Sequence, residues 1–147
     1  MNVCVIGMNR TGLVTAACLA RDGHHVIAVD SDHDRVDLIN SGRSPFIEPG
    51  LDDVMHEAIC ERRLRAMSFR ESAIRYSEIT LICLEPFCEQ TGAPNIDHLI
   101  ETCMQIGAAM SELDEYKVVA MRSPMPPDAF RHKILPALTR SADKSID

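Results

Sequence analysis

Residues 3–12, with the sequence VCVIGMNRTG, decide the fold. Four apolar residues end at Gly7, which is typical of a buried β-strand that runs into a tight turn. The segment from Leu13 to Ala20 then carries the apolar side of a helix, and the pair Asp22-Gly23 follows it as a helix C-terminal signal. A strand, a glycine turn and a helix in this order predict the first βα unit of a parallel sheet.

The rest of the chain repeats this alternation of short apolar runs and amphipathic segments. Further strands are predicted over residues 25–30, 64–67, 78–84 and 116–121. Further helices are predicted from residue 31 or 32 to 40 and over residues 52–63, 68–76, 96–113 and 128–138. Proline and glycine predict loops over residues 44–50, 85–95 and 122–127, and residues 139–147 are predicted to form a polar tail.

Alternating strands and helices require crossover connections, and such connections imply a parallel sheet with helices on both faces. We therefore predict an α/β fold, a Rossmann-like three-layer sandwich with a mainly parallel sheet of five or six strands. The expected strand order is 3-2-1-4-5. A length of 147 residues fits one domain, which we place at residues 1–138.

Composition narrows the classes of function. The net charge of −7 disfavours nucleic acid or an anionic membrane as a partner, and no apolar run approaches the roughly 18 residues of a membrane span. The N-terminus has neither the basic segment nor the cleavage site of a signal peptide. The six cysteines, at positions 4, 18, 60, 83, 88 and 103, form neither a CxxC pair nor zinc-finger spacing. We interpret them as free thiols in a reducing compartment, which predicts a cytoplasmic location and no metal site.

The turn after the first strand resembles the G-x-G-x-x-G pattern of dinucleotide-binding domains. Gly7 can form the tight turn, and Gly12 can let the helix pack closely on the strand. Asn9 stands where the pattern has its middle glycine. Its side chain would crowd a pyrophosphate, although asparagine tolerates the unusual backbone angles of such turns. Arg10 would partly offset this, because it places a positive charge near a helix N-terminus, where anions bind well.

Asp30 is the second candidate contact. The pattern places an acid about 20 residues after the glycines, and Asp30 ends the second strand close to that distance. An acid there would hydrogen-bond the ribose 2′-hydroxyl and favour NAD over NADP. The alternative interpretation is that Asp30 and Asp32 only cap the next helix. The two well-placed glycines favour the ribose contact.

Three segments carry a resemblance to a known family: SPFIEPGL at residues 44–51, VDSD at 29–32 and LIN at 38–40. They resemble the N-terminal domain of the nucleotide-sugar 6-dehydrogenases, which are the UDP-glucose and GDP-mannose dehydrogenases, with the GDP-mannose enzymes the more similar. The resemblance covers residues 1 to about 138. It implies NAD as the cofactor in converting a nucleotide sugar to its uronic acid. It also implies that catalysis needs a C-terminal half, with the nucleophilic cysteine and the sugar-nucleotide site, which these residues do not include.

The resemblance also assigns the cofactor contacts by position. Arg35 matches a basic residue close to the adenosine, and Arg10-Thr11 replaces a Tyr-Val pair. The full set of candidates is Gly7, Met8, Asn9, Arg10, Thr11, Gly12, Asp30, Arg35, Leu84, Pro86 and Pro124.

Several positions depart from the family pattern. Pro86 and Pro124 each stand where the family has a threonine, which removes a hydroxyl and a backbone donor together. Asp128 replaces a glycine, and Glu85 adds another acid near the anionic cofactor. Together with Asn9, these changes could weaken binding by on the order of a thousandfold. We therefore expect the affinity for NAD to be millimolar or lost.

Three functions stay open. The first is an NAD-binding domain of nucleotide-sugar dehydrogenase descent that is inactive by itself. The second is a pseudoenzyme that acts through a protein partner in polysaccharide biosynthesis. The third is a regulatory module that binds a smaller adenine nucleotide through Arg10, Asp30 and Arg35. No catalytic residue is predicted, because no nucleophile with a base partner is identified and Cys83 is interpreted as a buried thiol.

Overall fold

A five-stranded parallel sheet underlies the first of two compact units in the chain. The computed structural model describes residues 1–69, 71–87 and 95–144. All neighbouring strands pair in parallel, in the order β3-β2-β1-β4-β5. The Rossmann-like α/β class, the parallel sheet and its strand order are therefore confirmed. The strands are β1 (Asn2–Ile6), β2 (His25–Val29), β3 (Leu64–Met67), β4 (Ile79–Ile82) and β5 (Val118–Met121).

The first unit comprises residues 1–84 and 116–122. Successive side chains of a strand point to opposite faces of a sheet. Val3 and Val5 of β1 accordingly join the hydrophobic cluster that the helices following β1 and β2 help to form, whereas Cys4 and Ile6 are buried on the other face. The helices described in this unit are α1 (Arg10–Arg21), α2 (His33–Asn40), α3 (Leu51–Cys60) and α4 (Glu71–Tyr76).

The second unit comprises residues 85–115 and 123–147. Its described elements are α5 (Asp97–Met110), the short α6 (Pro127–Ala129), a π-helical segment (Phe130–Ile134) and α7 (Leu135–Ala142). Helices α5 and α7 pack closely, because a Cβ atom on Gly107 would lie 2.5 Å from the carbonyl oxygen of Leu138. A glycine in α5 is therefore what allows this approach.

The C-terminal end of the predicted domain needs a correction. The polar tail was expected to begin at Thr139, but residues 139–142 belong to α7. Ala142 is buried, and the Thr139 hydroxyl donates to the carbonyl of Leu135 at 3.1 Å. Burial and backbone bonding therefore extend the helix one turn further, and residues 145–147 lie outside the described residues. Pro136 lies inside a helical run that is continuous from α6 through the π-helical segment into α7, directly after the point where the π-helical bonding ends.

Helix α3 ends three residues before the predicted position. Arg62 adopts a left-handed conformation with a φ of 57°. Its N–H donates to the carbonyl of Ile59 at 2.9 Å, and the N–H of Arg63 donates to that of Ala58 at 2.8 Å. This is the bonding of a Schellman motif, which stops a helix. The other bounds shift by a few residues, and part of the predicted loop, residues 88–94 with Cys88, lies outside the described residues.

Candidate cofactor-binding site

The turn between β1 and α1 depends on two glycines. Gly7 has a φ of 93°, and a Cβ atom there would lie 2.8 Å from the Leu84 side chain. A Cβ atom on Gly12 would lie 1.9 Å from the carbonyl oxygen of Gly7, which is backbone and cannot move aside. Both positions therefore require glycine. The close packing of helix on strand that was expected from Gly12 is present.

Asn9 forms the N-cap of α1 through its side chain. Its Oδ1 accepts a hydrogen bond from the N–H of Gly12 at 2.9 Å, and its Nδ2 donates to the carbonyl of Cys83 at 2.6 Å. The backbone of Asn9 is extended, with φ −66° and ψ 179°. The expectation that asparagine serves here by tolerating unusual backbone angles is therefore wrong. The left-handed residue of the turn is Gly7, and Asn9 acts through its side chain.

This arrangement changes the helix N-terminus as an anion site. The first N–H groups of a helix have no partner within the helix and can bind a phosphate. At α1 these groups belong to Arg10, Thr11 and Gly12, and the Asn9 carboxamide already occupies the last of them. A pyrophosphate would meet one fewer free donor and an additional side chain.

Arg10 points to the loop that precedes α3. Its guanidinium lies 2.6 Å from the Glu48 carboxylate, and its Cζ lies 5.8 Å from the centre of the Phe46 ring. The charge expected to help an anion at the start of α1 is thus paired with an acid. The same contacts join the SPFIEPGL segment to α1. The sequence motif did not indicate that Glu48 would pair with Arg10.

Asp30 and Arg35 lie together and form an ion pair. The buried Asp30 carboxylate accepts hydrogen bonds from the N–H of Met8 at 2.7 Å, from the N–H of Asp32 at 2.9 Å and from Arg35 at 3.2 Å. Asp32, by contrast, caps α2 through the N–H of Arg35. The two acids therefore have different roles. Asp32 caps the helix, while Asp30 ties the turn after β1 to the end of β2.

The carboxyl end of β4 lies beside the turn after β1, in the same unit. The N–H of Cys83 donates to the carbonyl of Ile6 at 2.8 Å, so the pairing with β1 continues one residue beyond the strand. Burial raises the pKa of the Cys83 thiol, and the positive charge of Arg122 partly opposes this. Leu84 is half-buried beside Gly7. Cys83 is thus the buried thiol that was expected.

The other predicted contacts belong to the second unit. Pro86 is buried and its carbonyl accepts a hydrogen bond from the N–H of Asn95 at 2.8 Å. Glu85, Pro124 and Asp128 are exposed. Their roles toward a cofactor stay predictions.

Arg122 is a candidate that the sequence reasoning did not single out. It follows β5 directly, its N–H donates to the carbonyl of Ile82, and its guanidinium donates to the hydroxyl of Thr15. Together with Arg10 and Glu48 it lines a cavity of about 480 Å³ along α1. Its place at the carboxyl end of a parallel strand, where α/β folds bind ligands, was a signal that could have identified it.

In residues 1–69, 71–87 and 95–144, no three His, Cys, Asp or Glu side chains are grouped so that they could hold a metal ion. The helices found there are too short or too polar to cross a membrane.

Comparisons with known proteins agree with this fold. The chain matches the model of the UDP-glucose/GDP-mannose dehydrogenase family, NAD binding domain, over residues 1–147. It is 31% identical over 144 residues to a GDP-mannose 6-dehydrogenase of Pseudomonas putida, a match that covers 98% of this chain and 33% of the relative. It is 31% identical over 126 residues to a UDP-glucose 6-dehydrogenase of Pseudomonas aeruginosa, which covers 86% and 27% of the two chains.

A solved structure gives the same result. A crystal structure of a ternary complex of GDP-mannose dehydrogenase from Pseudomonas aeruginosa superposes with a TM-score of 0.93 at 30% identity, over 99% of this chain and 33% of that one. The resemblance inferred from the sequence is confirmed. The chain spans about a third of the length of the GDP-mannose dehydrogenases it matches.

Proposed function

Since this chain belongs to the UDP-glucose/GDP-mannose dehydrogenase family and matches its NAD-binding domain, we propose that its Rossmann-like unit has weak or lost affinity for NAD and performs no catalysis by itself. The fit between these residues and the cofactor is partial. The ribose side keeps its acid and base, Asp30 and Arg35, while the pyrophosphate side is altered at Asn9 and Arg10.

The observation that carries this proposal is the position of the Asn9 side chain. Its carboxamide is held at both ends, by the N–H of Gly12 and by the carbonyl of Cys83. A dinucleotide that reached the start of α1 would find the N–H of Gly12 already bonded, and to use that donor its pyrophosphate would have to displace the Asn9 side chain. In the G-x-G-x-x-G pattern a glycine in this place lets the backbone approach the pyrophosphate directly.

The ribose side supports weak binding for a different reason. The Asp30 carboxylate already accepts three hydrogen bonds, and its side chain is 9% exposed. A ribose hydroxyl would have to share this carboxylate with Arg35, whose side chain is 25% exposed. Contact with the ribose therefore requires Arg35 to move or to bind the ligand itself.

The buried thiols support inactivity of the chain by itself, because they are poor nucleophiles. A thiolate is the nucleophilic form of cysteine, and burial disfavours it at the interior positions. Burial raises the pKa of Cys4 to about 12 and that of Cys103 to about 11, and it also raises the pKa of Cys83. In this proposal the nucleophile does not come from Cys4, Cys83 or Cys103.

A second candidate function is the binding of a smaller adenine nucleotide. The Asp30–Arg35 pair is intact and Arg35 is accessible, so an adenosine phosphate could bind there without entering the space beside Asn9. A pseudoenzyme role through a protein partner in polysaccharide biosynthesis is the third, and it would be favoured if no nucleotide binds.

Isothermal titration calorimetry of the chain with NAD, ADP-ribose and ADP tests these alternatives. We expect NAD to bind with a millimolar dissociation constant or not measurably. Binding of ADP alone would support the adenine-nucleotide module. No binding of the three would direct the search to a protein partner by pull-down, whereas micromolar binding of NAD would overturn the proposal.

The variant Asn9→Gly tests the cause. Freeing a donor for a charged phosphate oxygen is expected to improve NAD binding about tenfold or more. Asn9→Ala is the matched control, because it removes the same two hydrogen bonds but keeps a Cβ atom near the pyrophosphate. It should therefore improve binding less than Asn9→Gly. Equal affinities for the wild type and the glycine variant would rule out Asn9 as the obstacle.

A further inference from the structure

A second cavity lies at the amino ends of β2 and β3, at the opposite end of the strands from the turn that carries Asn9. Its volume is about 550 Å³, which is within the range of small-molecule sites. The residues that line it include His25 at the start of β2, Arg65 in β3 and Tyr76 at the end of α4. Nothing in the proposed dinucleotide site uses these residues.

Two arginines of this cavity have uncompensated charges. In the part of the chain that the structure describes, the guanidinium groups of Arg62 and Arg65 form no ion pair and no hydrogen bond, and both side chains are exposed. Arg63, between them in sequence, is different. It pairs with Glu61 and donates to the carbonyls of Ala20 and Arg21. Arg63 therefore fixes this segment to the end of α1, while the side chains of Arg62 and Arg65 remain available to bind a ligand.

The backbone at Arg62 has a left-handed conformation. Its φ of 57° is unusual for a residue with a side chain. The two hydrogen bonds that end α3, from the N–H groups of Arg62 and Arg63, hold this conformation. The place commonly carries glycine, and here it carries an arginine whose side chain is exposed.

Tyr76 adds a flat surface to the positive charges. The residue is 54% exposed although its ring is large and largely apolar. The half-buried Ile59 and the buried Leu64 line the same cavity and make part of its wall apolar. Arginine forks suit phosphate and carboxylate oxygens, and an exposed aromatic ring suits the face of a ring in a ligand.

We propose that this cavity binds a small phosphorylated ligand, with its phosphate held between Arg62 and Arg65 and its remaining part packed against Tyr76. A phosphate dianion matches two unpaired guanidinium groups in charge, whereas a single carboxylate would leave one of them uncompensated. The chain as a whole carries a net charge of −7, so its overall field does not attract anions. Attraction here is a local property of the cavity.

Tyr76 makes the site directly observable. The chain contains no tryptophan and two tyrosines, at positions 76 and 116. Tyr116→Phe changes a residue that is 80% exposed and leaves Tyr76 as the single fluorescent reporter. In this background, titration with sodium pyrophosphate at constant ionic strength should change the fluorescence along a saturable curve. Sodium chloride should produce no such curve, and succinate should bind at least several-fold more weakly than pyrophosphate.

Substitutions then show which side chains bind the pyrophosphate. Arg62→Gln and Arg65→Gln should each weaken pyrophosphate binding about tenfold or more, because each removes a charged hydrogen-bond donor. Arg140→Gln removes the same charge from an exposed position of α7 and should leave binding unchanged. Arg35→Gln, in the dinucleotide site, should also leave the Tyr76 signal unchanged. This separates failure of the present proposal from failure of the proposed function.

Three results would overturn the proposal. They are the absence of a saturable signal, equal losses in the Arg140→Gln and Arg62→Gln proteins, and binding of succinate as tight as that of pyrophosphate. All four arginine variants change exposed or half-buried side chains, and a thermal melt by circular dichroism confirms folding before each titration.

Discussion

The carboxylate of Asp30 accepts a hydrogen bond from the backbone N–H of Met8 at 2.7 Å, in a buried position. This contact connects the turn after β1 to the end of β2, and the Arg35 guanidinium donates to both the Met8 carbonyl and the Asp30 carboxylate. The acid that the dinucleotide pattern assigns to the ribose is therefore also a structural link. Its removal should be detectable without any ligand.

Asp30→Asn is expected to lower the free energy of unfolding by about 1–3 kcal/mol. An amide has one acceptor oxygen and presents a donor NH₂ where the carboxylate presented its second oxygen. One N–H, of the buried Met8 or of Asp32, would lose its partner, and Arg35 would keep only the Asp32 carboxylate, at 3.8 Å, as a counter-charge. Urea unfolding followed by circular dichroism measures the change.

Asp32→Asn is the control for Asp30→Asn. Asparagine caps helices as well as aspartate does, and the Asp32 side chain is 47% exposed. Its free energy of unfolding should stay within about 0.5 kcal/mol of the wild type. Equal effects of the two substitutions would contradict the structural role of Asp30.

The fold could be predicted because its signals are local. The apolar run before Gly7, the spacing to Gly12 and the alternation of strands with helices each lie within short windows of sequence. The end of α3 could not be predicted in this way. Its termination depends on a left-handed arginine, which has no sequence signal comparable to glycine at that position.

The site was predicted in part for the same reason. The positions of the candidate residues follow from the motif, but the directions of their side chains depend on distant contacts. Asn9 binds Cys83, 74 positions away, and Arg10 binds Glu48, 38 positions away. Neither partner follows from local pattern, so the pairing of Arg10 with an acid was not expected.

Gly12→Ala should destabilise the chain by about 3 kcal/mol or more, or prevent folding. Alanine ordinarily favours a helix over glycine by about 1 kcal/mol. Here the new Cβ atom would lie 1.9 Å from the carbonyl oxygen of Gly7, so α1 would have to move away from β1. The melting temperature by circular dichroism is the measurement.

Gly23→Ala provides the comparison for Gly12→Ala. Gly23 has a φ of 94°, and an added Cβ atom would meet nothing within 4 Å. Only the backbone conformation opposes the substitution, at about 1–2 kcal/mol. A Gly12→Ala protein as stable as the Gly23→Ala protein would show that α1 and β1 are not packed as described.

The buried Cys4 thiol should make the free energy of unfolding depend on pH. Burial raises the pKa of this thiol from 9.0 to about 12 in the folded chain. The folded state therefore keeps the proton while the unfolded state releases it above about pH 9. The contribution of the Cys4 thiol to the free energy of unfolding is complete below pH 9. It falls as the pH rises toward about 12, by up to about 1.4 kcal/mol per pH unit.

Urea unfolding of the wild type and of Cys4→Ala between pH 8 and pH 11 tests this dependence. Burial also raises the pKa values of the Cys83 and Cys103 thiols, so the difference between the two proteins is the relevant quantity. The stability advantage of the wild type should shrink as the pH rises. Parallel profiles would show that the buried Cys4 thiol does not contribute.

Glu48→Gln should strengthen binding of an anionic nucleotide at the start of α1, when it is made in the Asn9→Gly background. Glu48 now neutralises Arg10 at 2.6 Å, and its removal leaves the Arg10 charge available near the helix N-terminus. Since the Arg10 side chain is 64% exposed, we expect a gain of about two- to fivefold in ADP affinity at low salt, and less at 0.5 M salt because of screening. Stability should change by less than about 1 kcal/mol, as is usual for an exposed pair.

Glu57→Gln, at an exposed position of α3, makes the same change of charge, and calorimetry with ADP compares the two proteins. If both bind ADP equally well, the effect belongs to net charge and Arg10 is not the residue that Glu48 restrains.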